Sequence, residues 1–286
     1  MTQPDWDRRL RRSRDLSVRY PFAAEGLRFY EGVTAFQRGL YSRIEATLGS
    51  TSTPCALGAL RDDLDLFLLL PAFSEFLNTV RQEAPPPLAH AAAQLLDSDR
   101  QHWERVVRDF WNAPSFEVES PSEGFADVQV SARARQADAE SLLAWIFLQP
   151  YAEYMANHRA FPALEKTCSN CPLCGSRPII GVLRPEGEGG RKSLVCMLCA
   201  HEWPFRRIFC PSCGEESELR MAVYIAPEFD HVRVDACESC KTYLKTVDLT
   251  KTGLAVPVVD ELAAIPLDLW AQERGYIKLQ RNLLGI

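Results

Sequence analysis

Several things are missing from this 286-residue sequence, and each absence removes a class of function. The formal net charge is -6, so there is no basic excess of the kind that marks a nucleic-acid surface. Between Glu165 and Lys245, where nine of the ten cysteines fall, 11 basic side chains balance 11 acidic ones. That balance argues against a DNA-binding zinc module. Long apolar runs are also missing: "LDLFLLLPAF" and "SLLAWIFLQPYA" fall short of the roughly 20 residues a membrane helix needs, so no membrane span is expected. There is no G-x-S-x-G, no phosphate-cradling glycine loop and no H-E-x-x-H, and the chain is not read as an enzyme. The basic stretch "RRLRRSR" at 8–14 resembles a twin-arginine export signal, but "DLSVRYPFAAEGLRFYEG" follows it without an unbroken apolar core. These arginines are read as a solvated helix face or an anchor for a local acidic surface, and the protein is expected in the cytoplasm.

With 47% hydrophobic residues the chain can bury a full core, and its character changes near residue 165. From about 20 to 160 apolar residues recur at helical spacing. Leu27, Tyr30, Val33, Leu40, Tyr41, Ile44 and Leu48 form one stripe on a single helix. Further helices are predicted at about 55–82, 88–112 and 133–158, divided by "EAPPPLAH" and by "NAPSFEVESPSEG". Leu142, Leu143, Ile146, Phe147 and Tyr154 read as ordinary core, since amphipathic packing explains such stripes without a cofactor.

After Thr167 the pattern turns to short strands and turns. Eight cysteines form four C-x-x-C pairs: Cys171 with Cys174, Cys196 with Cys199, Cys210 with Cys213, and Cys237 with Cys240. Gaps of 21 and 23 residues separate the pairs within each half. Two such pairs about twenty residues apart match a four-thiolate metal site, because each turn offers two sulfurs and the intervening hairpin brings the turns together. The halves repeat: a "CPxCG" turn, a strand ("PIIGVL" or "LRMAVYI"), a reversal ("RPEGEGG" or "APEFD"), a return strand ("KSLVC" or "VRVDAC"), then the second pair. Duplication assigns Cys171, Cys174, Cys196 and Cys199 to one ion and Cys210, Cys213, Cys237 and Cys240 to another. A cross-braced pairing of first with third and second with fourth pairs stays open, because spacing alone does not fix connectivity.

Disulfides are disfavoured by the expected reducing compartment. Cys168 reads as a spare thiol and Cys55 as a small core residue, while His201 is an alternative ligand for the first site. Trp203 and Phe205 read as core between the two halves, with partner contact as the alternative. Gly175 and Gly214 permit a positive φ that turns backbone amides toward the sulfurs. Ala200 and Lys241 stand at the matching places of the second turns, which are therefore expected to be less regular or more open. Four thiolates accept zinc or iron alike. The fold expected is α+β: a helical domain over 1–165, a first metal module over 166–208, and a second over 209–286 with a C-terminal helical tail.

The runs "CPLCGSRP", "CMLCAHEWPFRRIFCPSC", "CESCKTYLK" and "IPLDLWAQERGY" together resemble the formate dehydrogenase accessory protein family, the FdhE family. The chain departs from it at Lys241, where glycine is frequent, and in "RNLLGI", where Asn-Pro-Phe is frequent. The resemblance implies a cytoplasmic maturation factor with rubredoxin-like sites, iron favoured over zinc, and the eight paired cysteines as ligands. It implies binding to the catalytic subunit of a respiratory formate dehydrogenase. Read from the residues, the helical domain supplies a rigid body and part of a docking surface, and the two metal hairpins expose backbone edges and turns that recognise a partner protein. Self-association is left open. The readings from other classes are a tandem zinc ribbon that binds protein or nucleic acid, and a thiol oxidoreductase.

Overall fold

The computed structural model describes residues 4–49, 53–113, 132–162, 168–186 and 189–286. Nine helices and nine strands are found among them. Helix α1 (Trp6–Arg19) starts at Asp5, whose carboxylate accepts the Arg8 amide at 2.9 Å. Helix α2 (Ala24–Leu48) buries the stripe from Leu27 to Ile44, and Leu48 emerges at its exposed end.

The helix expected at 55–82 is broken into pieces. Strand β1 (Thr53–Pro54) comes first, then a left-handed Gly58 (φ +81°) and a 3-10 turn at Ala59–Asp62. Helix α3 (Leu66–Leu69) is capped by Asp65, a 3-10 turn runs through Pro71, and only then does α4 (Phe73–Glu83) begin. Apolar periodicity between 55 and 82 hides these stops, because glycine, a capping aspartate and proline each interrupt the ladder without changing the apolar pattern. The segment expected at 88–112 likewise divides into α5 (Pro86–Leu96) and α6 (Arg100–Asn112), where Asp99 accepts the His102 amide at 2.7 Å. Most of the expected loop "NAPSFEVESPSEG" lies outside the described residues, as does the centre of the reversal "RPEGEGG".

Helix α7 (Ala132–His158) runs against α2, α5 and α6 and is buried on most sides from Leu143 to Ala156, as the central helix of the bundle. It carries Pro150, which has no amide for the carbonyl four residues back. The buried Gln37 of α2 donates to that carbonyl, Ile146 O, at 2.8 Å, so the proline leaves no orphan acceptor. Strand β2 (Arg159–Ala160) pairs in parallel with β1.

The remaining strands form one sheet: β3 (Pro178–Glu186), β4 (Gly189–Cys196), β5 (Glu202–Pro204), β6 (Met221–Ile225), β7 (Val232–Cys237), β8 (Thr242–Asp248) and β9 (Ile277–Lys278). Their order is β5-β4-β3-β8-β7-β6, with β9 against β8. Each cysteine-rich half therefore makes a three-stranded antiparallel meander, and its third strand was not foreseen from sequence. The halves join where β3 and β8 pair in parallel over Gly181↔Thr246, Val182↔Val247 and Leu183↔Asp248. Helices α8 (Pro257–Ala263) and α9 (Ile265–Glu273) lie against this sheet, and α8 also touches α1 and α2.

The N-terminal arginines are anchors more than a solvated face. Arg8 donates to Gly253 O and Ala255 O, Arg9 grips Glu153 at 2.6 Å, and Arg12 grips the fully buried Asp260. Across the seam, Lys192 of β4 meets Asp235 of β7 at 2.7 Å with both side chains buried. Burial alone raises the Asp235 carboxyl, but Lys192 and Arg233 bring it below its ordinary value. Removing Lys192 leaves the buried Asp235 with Arg233, 2.8 Å away, and the Thr246 hydroxyl as its remaining partners. Lys192→Met is expected to lower the unfolding free energy by roughly 1–3 kcal/mol, read from urea midpoints at constant m.

Candidate metal centres

Each half brings its four cysteines to one point. The sulfurs of Cys171, Cys174, Cys196 and Cys199 all lie within 4.8 Å of one another, as do those of Cys210, Cys213, Cys237 and Cys240. In the first set the closest separations are 3.6 Å (Cys171–Cys199), 3.3 Å (Cys174–Cys196) and 3.7 Å (Cys174–Cys199). In the second, Cys210–Cys240 and Cys213–Cys237 are both 3.7 Å. A tetrahedron with metal–sulfur bonds of about 2.3 Å has sulfur–sulfur edges of about 3.8 Å, whereas a disulfide needs about 2.05 Å. Both sets fit a tetrahedral ion and neither contains a disulfide.

The turns supply the amides. Gly175 and Gly214 donate back to Cys171 O and Cys210 O at 2.8 and 2.9 Å, at φ +73° and +78°. The second turns do not relax. Ala200 and Lys241 adopt φ +54° and +56°, so all four turns share the left-handed residue, and the expectation of more open second turns is corrected. The metal-site geometry demands that backbone whatever the side chain, at a cost that glycine avoids. In the first site Leu198 N and Cys199 N donate to the Cys196 sulfur at 3.3 and 3.4 Å.

The two sites differ in exposure. All four cysteines of the first are buried, whereas in the second Cys213 is exposed and Cys240 half-buried. The segment Gly58–Arg61 and α7 enclose the first. Trp145 Nε1 and Gln149 Nε2 of α7 both donate at 2.8 Å to Met197 O, inside the Cys196–Cys199 turn. Gly58 N and Leu60 N donate to Pro172 O and Leu173 O, inside the Cys171–Cys174 turn, and Arg61 reaches Ser176 Oγ at 2.7 Å.

The protonation of the thiols follows. Burial pushes Cys196 and Cys199 well up, while hydrogen bonds from Cys171, Cys196 and Cys199 pull Cys174 well down. In the second site burial raises Cys210, and Cys213 to about 11. Cys240 is held at about 7 by Thr242, against its burial. Clustered thiols with such values give up their protons together only when a cation takes the shared charge.

Known proteins are similar to this chain. Residues 170–207 match the family model for the FdhE central domain, and 208–284 that for the FdhE C-terminal domain. The two models together match residues 170–284, less than half of this chain. An FdhE homolog from Aquifex aeolicus is 36% identical over 140 residues, covering 49% of this chain and 50% of that protein. One from Pseudomonas aeruginosa is 38% identical over 122 residues, covering 40% and 38%. The match thus spans half or less of either relative. The crystal structure of the FdhE protein from Pseudomonas aeruginosa shares the fold over 99% of this chain and 97% of that one, with a TM-score of 0.65 at 23% identity.

Beside these eight cysteines, the other candidates fall outside both clusters. His201 stands over the Trp203 ring at 6.3 Å and gives its carbonyl to Cys196 N. Cys168 offers its carbonyl to Trp203 Nε1 at 2.8 Å. Cys55 is half-buried with its sulfur 3.4 Å from an Arg159 guanidinium nitrogen, which corrects its reading as a core residue. Trp203 and Phe205 are buried core.

Sequence reasoning missed a charged cluster in the region that matches the FdhE C-terminal model. Lys245 is fully buried, bonded to Glu261 O at 2.6 Å and paired with Asp268 at 2.5 Å and Glu261 at 2.9 Å. Lys278 adds pairs to both carboxylates, at 2.5 and 3.0 Å, and the Tyr243 hydroxyl donates to Asp268 at 2.9 Å. Two ammoniums and two carboxylates balance, and they pin α8 and α9 to β8 and β9. The available signal was a lysine in the otherwise uncharged strand segment "TYLKTV", at the end of a run that carries the family resemblance.

Two outcomes are expected. Ala200→Gly removes the left-handed strain and raises stability by roughly 1 kcal/mol, seen as a higher urea midpoint at unchanged metal content. Burial raises Glu261, but Lys245 and Lys278 bring it down to about 2 from an ordinary 4.5. A depressed carboxyl stabilises fully above its unfolded pKa, and that contribution is lost as pH falls from 4.5 toward 2. Glu261→Gln should therefore flatten the acid limb of a stability–pH profile measured over that window.

Proposed function

We propose that this chain is a cytoplasmic accessory factor that binds the catalytic subunit of a formate dehydrogenase during its maturation, and that it holds two metal ions without itself catalysing a reaction. The observation that carries this reading is the pair of four-sulfur sets, built into one sheet, within FdhE domains. Cys171, Cys174, Cys196 and Cys199 hold one ion, and Cys210, Cys213, Cys237 and Cys240 the other. Iron is the metal favoured by the resemblance to rubredoxin-like sites. When bound, the ion neutralises the thiolates and, as iron, supplies one-electron chemistry at the site.

The residues divide the work. The enclosed first site ties the helical bundle to the sheet through Met197, Pro172 and Leu173, so it holds the body of the molecule together. The second site, with Cys213 at the surface, faces outward and is the one a partner can touch.

The test is capture under argon from the native host growing on formate. Tagged wild-type protein should carry about two metal ions per chain and enrich the formate dehydrogenase catalytic subunit. A Cys210→Ser, Cys213→Ser variant should lose one ion and most of the captured subunit while keeping a cooperative unfolding transition. A metal-loaded wild-type protein that enriches nucleic acid, or no such subunit, overturns the reading.

A further inference from the structure

Pro150 interrupts α7 beside the first cysteine set, and the groups around the interruption form a chain of hydrogen bonds with one direction. The missing amide leaves Ile146 O open, and Gln37 of α2 donates to it at 2.8 Å. The same Gln37 nitrogen donates to Gln149 Oε1 at 2.8 Å, which obliges the Gln149 amide to turn its own nitrogen the other way. That nitrogen donates to Met197 O at 2.8 Å, and Trp145 Nε1 adds a second bond of 2.8 Å to the same oxygen. Met197 O shares a peptide group with the N–H of Leu198, and Leu198 N donates to the Cys196 sulfur at 3.3 Å. Cys199 N donates to that sulfur at 3.4 Å from the next peptide group, whose carbonyl is not the one that Gln149 and Trp145 reach. At the matching place of the second turn, Glu238 meets Lys241 and Tyr276, and no donor from the bundle reaches its carbonyl among the described residues.

We propose that the helical bundle tunes the first ion through this chain, drawing charge from the Cys196 thiolate by way of Gln37, Gln149 and the Met197–Leu198 peptide group; this rests on the reading above that the first four cysteines hold an ion. Two donors on a carbonyl oxygen favour the resonance form with a double C–N bond, which makes the N–H on the far side of the peptide a stronger donor. A stronger N–H···S bond takes charge off the sulfur, so an iron ion held there is easier to reduce. Gln37 and Pro150 are positioning residues, since each acts on the cysteine turn only by fixing the next group in line. The bundle thus reaches one of the two cysteine sets electronically and leaves the other to its own turns.

Proton–cadmium NMR of the full chain loaded with cadmium tests it, because cadmium accepts thiolates and couples to an amide proton through an N–H···S bond. The wild type should show one coupling from the Leu198 amide and one from the Cys199 amide. Gln37→Met and Gln149→Met should lower the Leu198 coupling by roughly 10–30% for each bond lost from the chain, and leave the Cys199 coupling unchanged. A turn that had merely loosened would lower both. Gln149 is half-buried, so its variant tests the chain even where the change at the buried Gln37 prevents folding. In iron-loaded protein held at one potential, Gln149→Met should raise the oxidised share. A Leu198 coupling that is absent from the wild type or the same in the variants, two couplings lowered alike, or an unchanged oxidised share overturns the inference and leaves the proposed function standing. A wild type that takes up no ion at Cys171, Cys174, Cys196 and Cys199 overturns both.

Discussion

The molecule depends on three residue pairs where β3 runs parallel to β8. Two strands so far apart in sequence meet only because the chain between them makes the whole second meander first, and parallel pairing cannot be closed by a short turn. The contact is tight. A Cβ on Gly181 would stand 2.3 Å from Thr246 Oγ1, so only glycine lets the two strands approach. That hydroxyl donates to Asp235 at 2.8 Å, and Asp235 also receives Lys192 from beyond β3. Four strands are thus tied by one glycine, one hydroxyl and one ion pair, and without them the cysteine hairpins would be two separate modules.

What the helical bundle adds is a floor for one of these modules and not the other. Pro150 sits one residue after Gln149, which reaches the Cys196–Cys199 turn, and four residues after Ile146, whose carbonyl Gln37 satisfies. The bond from α2 therefore holds α7 where its side chains meet Met197. No comparable set of bonds from the bundle reaches the Cys210–Cys213 turn among the described residues. The difference in burial between Cys171 and Cys213 is the direct consequence of where the bundle lies.

The cysteine sets were legible because the information is local: a C-x-x-C turn and a hairpin of about twenty residues bring four sulfurs together with little help from elsewhere. The stripe on α2 was legible for the same reason. The broken helix between 55 and 82 was not, since Gly58, Asp65 and Pro71 act at single positions inside a run whose apolar rhythm continues. Ala200 and Lys241 misled because preference was read from residue type, while the four-sulfur geometry overrides that preference. Lys245 was out of reach, because its partners Glu261 and Asp268 lie 16 and 23 residues away and no local rule announces a buried ammonium.

The buried charges explain why the C-terminal half holds one arrangement. Its strands are short, and much of its surface is given to turns that serve the sulfurs. Packing opposes a slip of β8 against β3 at one point, where Gly181 alone makes room for Thr246. A slip by one residue would also turn Lys245 to the opposite face and leave Glu261 and Asp268 short of a cation. It would equally carry Thr246 off Asp235. Each alternative register is thus opposed by an unpaired buried charge, which costs far more than the ion pairs contribute to net stability. The polar locks fix register, and register fixes where the two sets of sulfurs stand.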